Sequence, residues 1–164
     1  MSTTAYATVD SPIGELLLTA EDGALTRLYM SPFDLDSAWK HDPAALQEPA
    51  RQLAEYFAGE RTEFELELRP AGTGFQQSVW ELLLGIPYGQ TTTYGALALE
   101  LGDPRKVRAV GLANGRNPIS IVVPCHRVIG ADGSLTGYGG GLDRKRQLLA
   151  LEAEVAAGFR ATLW

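Results

Sequence analysis

Residues 69–72 mark a change in hydrophobic pattern that constrains the fold more than any other feature of the chain. Before Arg69-Pro70-Ala71-Gly72, apart from one helical stretch, the apolar residues alternate with polar ones or fall in short runs, and after it they mostly recur every three or four residues. Alternation predicts strands, whereas the longer spacing predicts helices. A chain of 164 residues is long enough for two small domains. We therefore expect an α/β domain over residues 1–72, packed on a mainly α domain over residues 73–164.

The first domain is predicted to hold a small antiparallel sheet and one helix. Strands are indicated at Tyr6–Val9, Leu16–Ala20 and Leu25–Met30, with a hairpin signal between the last two. An amphipathic helix is indicated from Pro43 to Phe57. Apolar side chains that alternate with glutamates predict a further strand at Phe64–Leu68, with one face in water.

The second domain is predicted to begin with three short helices. Thr73 is a candidate N-cap for a helix from Phe75 to Leu84, and the glutamine three positions after it completes a capping-box pattern. A second helix is indicated from Thr93 to Leu101, followed by a tight turn. Asp103 is the candidate cap of a third helix, from about Arg105 to Asn114. Two short helices joined in this way are a candidate helix-turn-helix.

The third helix has two unlike faces. Val107, Val110 and Gly111 recur at helical spacing and are expected to pack inward. The opposite side carries small residues and arginines, namely Arg105, Arg108, Ala109 and Leu112. Such a face can approach a groove closely, and a plain surface helix is the alternative.

The charge of the chain is divided unevenly. Residues 1–89 carry five basic and fourteen acidic side chains, a net charge of −9, whereas residues 90–164 carry nine basic and six acidic ones, a net charge of +3. This asymmetry indicates a polyanionic partner for the second part, with a chance drift of surface charge as the alternative.

The single cysteine, Cys125, follows an apolar run from Ile119 to Val123 that predicts a buried strand. A thiol beside a base is a candidate nucleophile, and His126 is that base. Glu152 falls on the apolar stripe of a last helix, predicted from Asp143 to about Ala153, and needs a partner there. Adjacent strand residues point to opposite faces, so the thiol and the imidazole meet only through a turn or a water. An inert core cysteine is the alternative.

The sequence around the cysteine resembles the signature of the O6-alkylguanine-DNA alkyltransferases, most closely the constitutive bacterial type. The likeness is carried by Pro124-Cys125-His126-Arg127-Val128-Ile129, by Asn117-Pro118 upstream, and by Gly137-Tyr138-Gly139-Gly140-Gly141 and Leu149-Ala150-Leu151-Glu152 downstream. It runs from about Phe75 to Glu152. The first domain has a weaker likeness to the N-terminal domain of the family, which implies a ribonuclease-H-like fold there.

The resemblance implies direct reversal of DNA damage on double-stranded DNA. The alkyl group of O6-alkylguanine, and that of O4-methylthymine, would pass irreversibly to Cys125 in one turnover, with the base flipped out through the minor groove. His126 and Glu152 would complete a thiol–water–imidazole–carboxylate relay. Asn117 would hold the turn before the cysteine, and Tyr94 would turn the phosphate of the target and donate to its base.

Further residues of the second domain are assigned by the same resemblance. Arg108 would enter the duplex to fill the space of the flipped base, and the remaining residues of its helix face would contact DNA, namely Arg105, Ala109 and Leu112. The base pocket would be formed by Tyr138, Gly139, Val128 and Thr136. Thr136 stands where some relatives have glycine, which bears on the width of the pocket.

Several classes of function are disfavoured by composition. The apolar runs are too short to cross a membrane, and no phosphate-loop spacing is present, so no cofactor is expected. One cysteine and two histidines are too few for an ordinary zinc site. Without an export signal or a disulfide we expect a cytoplasmic protein. We further expect a monomer, for which cooperative assembly on DNA is an open alternative. The alternatives are a non-catalytic DNA-binding module and a thiol hydrolase that uses Cys125, His126 and Asn117.

Overall fold

A computed structural model describes residues 3–135 and 138–161, the last three of them by their backbone alone. The chain divides into two compact units. The first contains the residues up to Ala71 together with Pro118–Ser120, and the second contains Gly72–Asn117 and the residues from Ile121 onward. The predicted class, an α/β N-terminal domain followed by a mainly helical C-terminal domain, is confirmed.

The first unit is built on a four-stranded sheet. Its strands are β1 (Ala5–Val9), β2 (Leu16–Glu21), β3 (Ala24–Met30) and β4 (Lys40–His41), in the spatial order β3-β2-β1-β4. The first three pair antiparallel as predicted, and the two-residue β4 adds a parallel edge that the sequence did not indicate. Strand β2 is buried over five successive residues, so both of its faces are covered.

The helix of the first unit is α1, Gln47–Phe57, which follows a 3-10 turn at Pro43–Leu46. The predicted strand at Phe64–Leu68 is wrong, because only Leu68 forms a β-bridge, with Leu25. The buried amide of Gln52 on α1 occupies the backbone nearby: its Nε2 donates to Glu65 O at 3.2 Å and its Oε1 accepts from Glu65 N at 2.9 Å. A side chain therefore supplies the hydrogen bonds that a neighbouring strand would have supplied.

The predicted buried strand from Ile119 to the cysteine is also wrong. Leu28 N donates to Pro118 O at 2.9 Å and Ser120 N donates to Leu28 O at 3.3 Å, so this short piece pairs with β3. The backbone of Ile121 then takes a φ of +72°, a value that a β-branched residue rarely adopts and that ends the extended segment. Residues 121–124 are buried but lie in turns rather than in a strand.

In its described residues the second unit contains four α-helices: α2 (Gly74–Leu84), α3 (Tyr94–Glu100), α4 (Val107–Gly115) and α5 (Leu142–Ala161). Two short strands, β5 (Thr92–Thr93) and β6 (Val128–Ile129), pair in parallel. The predicted capping box of α2 is present: Gln76 N donates to Thr73 Oγ1 at 3.1 Å, and Thr73 N donates to Gln76 Oε1 at 2.9 Å. Trp80 joins α2 to α4, since its Nε1 donates to Ala113 O at 2.8 Å.

The predicted third helix of this unit begins differently from the prediction. Asp103 caps a 3-10 turn at Pro104–Lys106, and α4 starts only at Val107. Val110 is fully buried as expected, but the inward position predicted for Val107 is wrong, because its side chain is 40% exposed. The 3-10 turn rotates the first residue of α4 away from the face that a continuous helix would have given it. Within the described residues no helix is long and apolar enough to cross a membrane.

Candidate active site

Cys125 lies in a short turn rather than at the end of a strand. Cys125–Arg127 form a 3-10 turn, and Val128 N donates to Cys125 O as the turn closes into β6. Cys125 N donates to Val123 O at 2.8 Å, and the cysteine is 4% exposed. Of the two arrangements left open by the sequence, the chain adopts the turn, which removes the strict alternation of side chains expected in a strand.

A buried carboxylate joins the two residues that follow the cysteine. Glu152 Oε2 lies 2.7 Å from His126 Nε2, and the predicted pairing of these two side chains is present in the structure. Arg127 donates two hydrogen bonds to the same carboxylate, from Nε to Oε1 at 2.7 Å and from Nη2 to Oε2 at 2.9 Å. Its Nη1 donates to Ile86 O at 2.7 Å. A two-pronged arginine fixes both the charge and the orientation of the carboxylate.

The ionisation of this cluster follows from its burial. Burial by itself raises the pKa of Glu152, but the hydrogen bonds from His126 and Arg127 and the positive charge of Arg127 outweigh it and lower the pKa to about 2. Burial lowers the pKa of His126, and the hydrogen bond to Glu152 only partly opposes that effect. Glu152 is therefore an anion at neutral pH, Arg127 balances its charge, and the imidazole is neutral.

The tautomer of His126 follows from the same contacts. An ionised carboxylate can only accept hydrogen bonds, so the ring nitrogen facing Glu152, Nε2, carries the proton. Nδ1 is then the basic nitrogen. It is buried and has no hydrogen-bond partner among the residues that the structure describes.

Two asparagines hold the turn from inside. Asn117 Nδ2 donates to Val123 O at 2.8 Å, which ties the chain back just before the cysteine, where the sequence predicted that Asn117 acts. Asn114 Nδ2 donates to Cys125 O at 3.3 Å. Asn114 was not predicted as a site residue, and the available signal was its place one turn after Val110 on the buried face of α4.

Two buried cations were also missed by sequence reasoning. Arg127 was quoted only as part of the family signature, although a charged residue between two buried hydrophobic runs needs a partner. Lys145 has no exposed surface, and its Nζ donates to Val128 O at 2.6 Å. Its signal was spacing, since Lys145, Leu148 and Glu152 recur at helical intervals on the buried stripe of α5.

The face of α4 predicted to meet DNA is exposed. Arg108, Ala109 and Leu112 are all accessible, and Leu112 is 61% exposed, an unusual position for a leucine. Arg105 lies before α4, in the 3-10 turn, and its guanidinium pairs with Asp103 at 3.1 Å. Tyr94, the first residue of α3, lies beside α4: a Cβ added to Gly111 would be 3.8 Å from its ring.

The structure describes three of the four residues predicted for the base pocket. Val128 is buried, and its carbonyl accepts from Lys145. Tyr138 is half-buried, and Gly139 lies near α4, where an added Cβ would be 3.6 Å from Gly115 O. Thr136 lies outside the described residues. Across the described part of the chain, no group of three or more His, Cys, Asp or Glu side chains could hold a metal ion.

Comparison with known proteins gives a consistent result over both units. Residues 74–154 match the family model of the 6-O-methylguanine DNA methyltransferase DNA-binding domain, and residues 4–70 match that of the 6-O-methylguanine DNA methyltransferase ribonuclease-like domain. The methylated-DNA–protein-cysteine methyltransferase of Mycobacterium tuberculosis is 56% identical over 150 residues, which are 90% of this chain and 91% of that protein. The protein of the same name from Methanosarcina acetivorans is 50% identical over 151 residues, 90% of this chain and 97% of that protein.

A solved structure agrees with these relatives. The crystal structure of Mycobacterium tuberculosis OGT in complex with DNA superposes with a TM-score of 0.88 at 56% sequence identity, and the match covers 92% of this chain and 94% of that one. The two family models together span most of the chain, and the relatives match along nearly their whole length. The chain therefore belongs to the 6-O-methylguanine DNA methyltransferase family, the methylated-DNA–protein-cysteine methyltransferases.

Proposed function

We propose that the chain repairs DNA by transferring the alkyl group of O6-alkylguanine to the sulfur of Cys125. The observation that carries the proposal is the position of the chain's single cysteine, buried in a turn whose next two residues share the carboxylate of Glu152. A buried cysteine in an apolar core needs no such cluster, and burying an ionised carboxylate is costly, so the cluster indicates a role for the cysteine beyond packing.

The proton of the thiol leaves through the imidazole. With Nε2 protonated toward Glu152, Nδ1 of His126 can accept the thiol proton through one water, which completes a relay of thiol, water, imidazole and carboxylate. The thiolate then attacks the alkyl carbon. The S–C bond forms as the C–O6 bond breaks, and the guanine leaves with the bonding electron pair and takes up one proton. Tyr94 is the side chain proposed to donate to the departing base.

The target base must leave the helix to reach a buried thiol, because its exocyclic oxygen cannot meet a side chain inside the stack. The exposed face of α4 supports an approach through the minor groove, with Arg108 inserted to offset the lost stacking. Ala109 and Leu112 would lie against the groove and Arg105 near the phosphates. The relative solved in complex with DNA supports this partner.

The pocket for the flipped base would be formed by Tyr138, Gly139, Val128 and Thr136, with Asn117 holding its floor through the turn before the cysteine. Its width would decide the tolerance for bulky alkyl groups, and O4-methylthymine would enter as a second substrate. We further propose that the protein acts in the cytoplasm as a monomer that can assemble cooperatively along DNA.

The thioether product determines how many times each protein molecule can react. A thioether has no carbonyl for water to attack, and the chain has no second cysteine to remove the alkyl group. Each molecule should therefore react once. The test is incubation with excess duplex containing O6-methylguanine, followed by mass spectrometry of the protein. We expect one added methyl per chain, located on Cys125, and none on Cys125→Ser. Repeated turnover, or a methyl group elsewhere, would refute the proposal.

Arg108→Ala separates base flipping from chemistry. We expect repair of duplex DNA to fall at least tenfold while the reaction with free O6-alkylguanine base stays within about twofold, because only the duplex requires a wedge. Arg51→Ala, which removes another exposed arginine, on α1, is the control and should change neither reaction. Equal losses on both substrates would place Arg108 in folding or chemistry instead.

A further inference from the structure

Asn114 is a buried amide of which only one end has a partner among the described residues. The side chain lies on the buried face of α4 and is 1% exposed. Its Nδ2 donates to Cys125 O at 3.3 Å, and because a carbonyl can only accept, the nitrogen must face Cys125 and Oδ1 must point elsewhere. Oδ1 is buried and has no hydrogen-bond partner among the residues that the structure describes. A buried acceptor in this state is costly and calls for a donor.

Asn114 lies beside the residues that a target base would meet. It is bonded to the backbone of Cys125, whose sulfur is the proposed acceptor of the alkyl group. The next residue of α4, Gly115, lies near Gly139 of the proposed base pocket, since a Cβ added to Gly139 would be 3.6 Å from Gly115 O. Cys125 itself is 4% exposed, so an opening wide enough for a base to reach the sulfur would bring the base next to Asn114 as well.

The transfer chemistry does not account for this acceptor. A second buried acceptor that lacks a partner in the described part of the chain, His126 Nδ1, is explained by the proton relay. An amide oxygen does not titrate near neutral pH, so Oδ1 of Asn114 cannot serve that relay as a base. A water that donates to Oδ1 in the free protein would be displaced when a ligand brings its own donor.

The damaged base carries one donor group. Alkylation at O6 removes the hydrogen from N1 of guanine, and N3 and N7 are acceptors, so the exocyclic amine at N2 is the donor that remains. This amine lies on the Watson–Crick edge, as O6 does, and that edge becomes accessible when the base leaves the duplex. O4-methylthymine carries no N–H donor, because its alkylation likewise removes the hydrogen from N3. An unpaired acceptor beside the sulfur therefore distinguishes the two lesions.

We propose that Asn114 is a specificity-determining residue, whose Oδ1 accepts a hydrogen bond from the exocyclic amine of O6-alkylguanine while its Nδ2 stays bonded to Cys125 O. This inference rests on the proposed function of Cys125 as alkyl acceptor. One amide would hold both the base and the residue that attacks it, and the sulfur would face the alkyl group on the same edge of the base. O4-methylthymine leaves Oδ1 buried and unpaired, so the protein should prefer guanine lesions.

The test is methyl transfer from three duplexes that differ only in the lesion, with the full-length chain in excess and the rate measured as loss of the lesion from the DNA. The lesions are O6-methylguanine, O6-methylhypoxanthine, which is the same base without the amine, and O4-methylthymine. We expect the wild-type protein to react with the first about tenfold or more faster than with the second, because the second leaves a buried acceptor unpaired. Asn114→Leu has no acceptor, so this ratio should fall about tenfold, and the preference over O4-methylthymine should fall with it.

The ratio of rates separates recognition of the base from folding. Asn114→Leu also removes the hydrogen bond to Cys125 O, but a loss from that source lowers all three rates by the same factor and leaves their ratios unchanged. Arg108→Ala is the control, because the proposed wedge acts before the base is bound; it should slow all three duplexes equally. Asn114→Ser, whose side chain is too short to reach the amine, should give the same lowered ratio and replaces Asn114→Leu if leucine does not fit the site.

Two results would overturn the inference. Equal rates of the wild-type protein on O6-methylguanine and O6-methylhypoxanthine would mean that the amine is not bound. A wild-type ratio in the Asn114 variants would mean that another group binds it. Methyl transfer itself tests the proposed function separately: transfer with an unchanged ratio overturns this inference alone, whereas absence of transfer from every lesion refutes the proposed function.

Discussion

The two units bury polar groups of different kinds. Among the described residues of the first unit the buried polar side chains are neutral, namely Thr19, Thr26 and Gln52. In the second unit they include four ionisable groups, His126, Arg127, Lys145 and Glu152, beside two asparagines. In both units these groups lie among apolar side chains, so the units differ in the charge of their buried polar groups and not in how deeply these groups are buried.

The contacts explain what each kind of group does. In the first unit Thr19 and Thr26 share a hydrogen bond of 2.6 Å, and Gln52 replaces missing strand contacts. Such neutral bonds complete the fold and have no further consequence. In the described part of the second unit His126 and Arg127 contact Glu152, and Lys145 donates to Val128 O, directly after the turn that holds Cys125. Apolar side chains of similar volume would stabilise the unit at least as well, so these charges indicate chemistry.

Removing one buried polar side chain from each unit should give the largest difference in stability between the two units. Glu152→Ala leaves Arg127 buried without its anion and should lower the free energy of unfolding by about 3–5 kcal/mol. Gln52→Ala removes neutral bonds only and should lower it by about 1–3 kcal/mol. Urea unfolding followed by circular dichroism measures both. Equal decreases in the free energy of unfolding would mean that breaking a contact to a buried charge costs no more than breaking a contact between neutral groups.

The pH dependence of stability gives a smaller effect. His126 is neutral when folded because its pKa is lowered, whereas the unfolded chain takes up a proton below pH ~6.5. The unfolded state thus binds more protons as the pH falls, and stability decreases. The expected loss between pH 7 and pH 5.5 is about 1 kcal/mol. Glu152, with a pKa lowered to about 2, adds a loss only at lower pH, as the pH falls from its unfolded value toward 2.

Two variants identify the residue that causes this decrease in stability with falling pH. His126→Gln should remove the decrease between pH 7 and pH 5.5, because the titrating group is gone. His41→Gln removes the other histidine of the chain, an exposed residue of the first unit, and should retain the decrease. Thermal unfolding at a series of pH values measures both, and a slope that survives His126→Gln would locate the titrating group elsewhere.

Local patterns predicted those parts of the fold that depend on neighbours in sequence. The capping box at Thr73 and the pairing of Glu152 with His126 were both expected, the first from spacing and the second from a carboxylate on an apolar stripe together with the family resemblance. The predicted strand at Phe64–Leu68 was wrong because the distant amide of Gln52 bonds its backbone, and the one at Ile119–Val123 was wrong because the chain pairs with the distant Leu28 only as far as Ser120 and then turns at Ile121. Periodicity carries no information about such partners.

The sequence predicted only some of the site residues, although it contains the family signature around the cysteine. Residues next to the cysteine in sequence were found, but Lys145 was read as one of three consecutive basic residues at a helix start. Charged residues are rarely buried, so a sequence reading places them outside by default. Its spacing from Leu148 and Glu152 would have corrected the reading, because all three share one stripe of α5.

The smallest effect concerns an exposed polar contact of the second unit and separates burial from location. Thr73→Ala removes the side-chain cap of α2 and should lower the free energy of unfolding by about 0.5–1 kcal/mol. Ser78→Ala is the matched control, since its exposed hydroxyl donates to Gly74 O within the same helix and caps nothing; it should be nearly neutral. Differential scanning calorimetry resolves the pair. If Thr73→Ala lowered the free energy of unfolding as much as Glu152→Ala, the whole second unit would be sensitive to the loss of polar side chains. A small decrease shows that the large effects belong to the buried charges around Cys125.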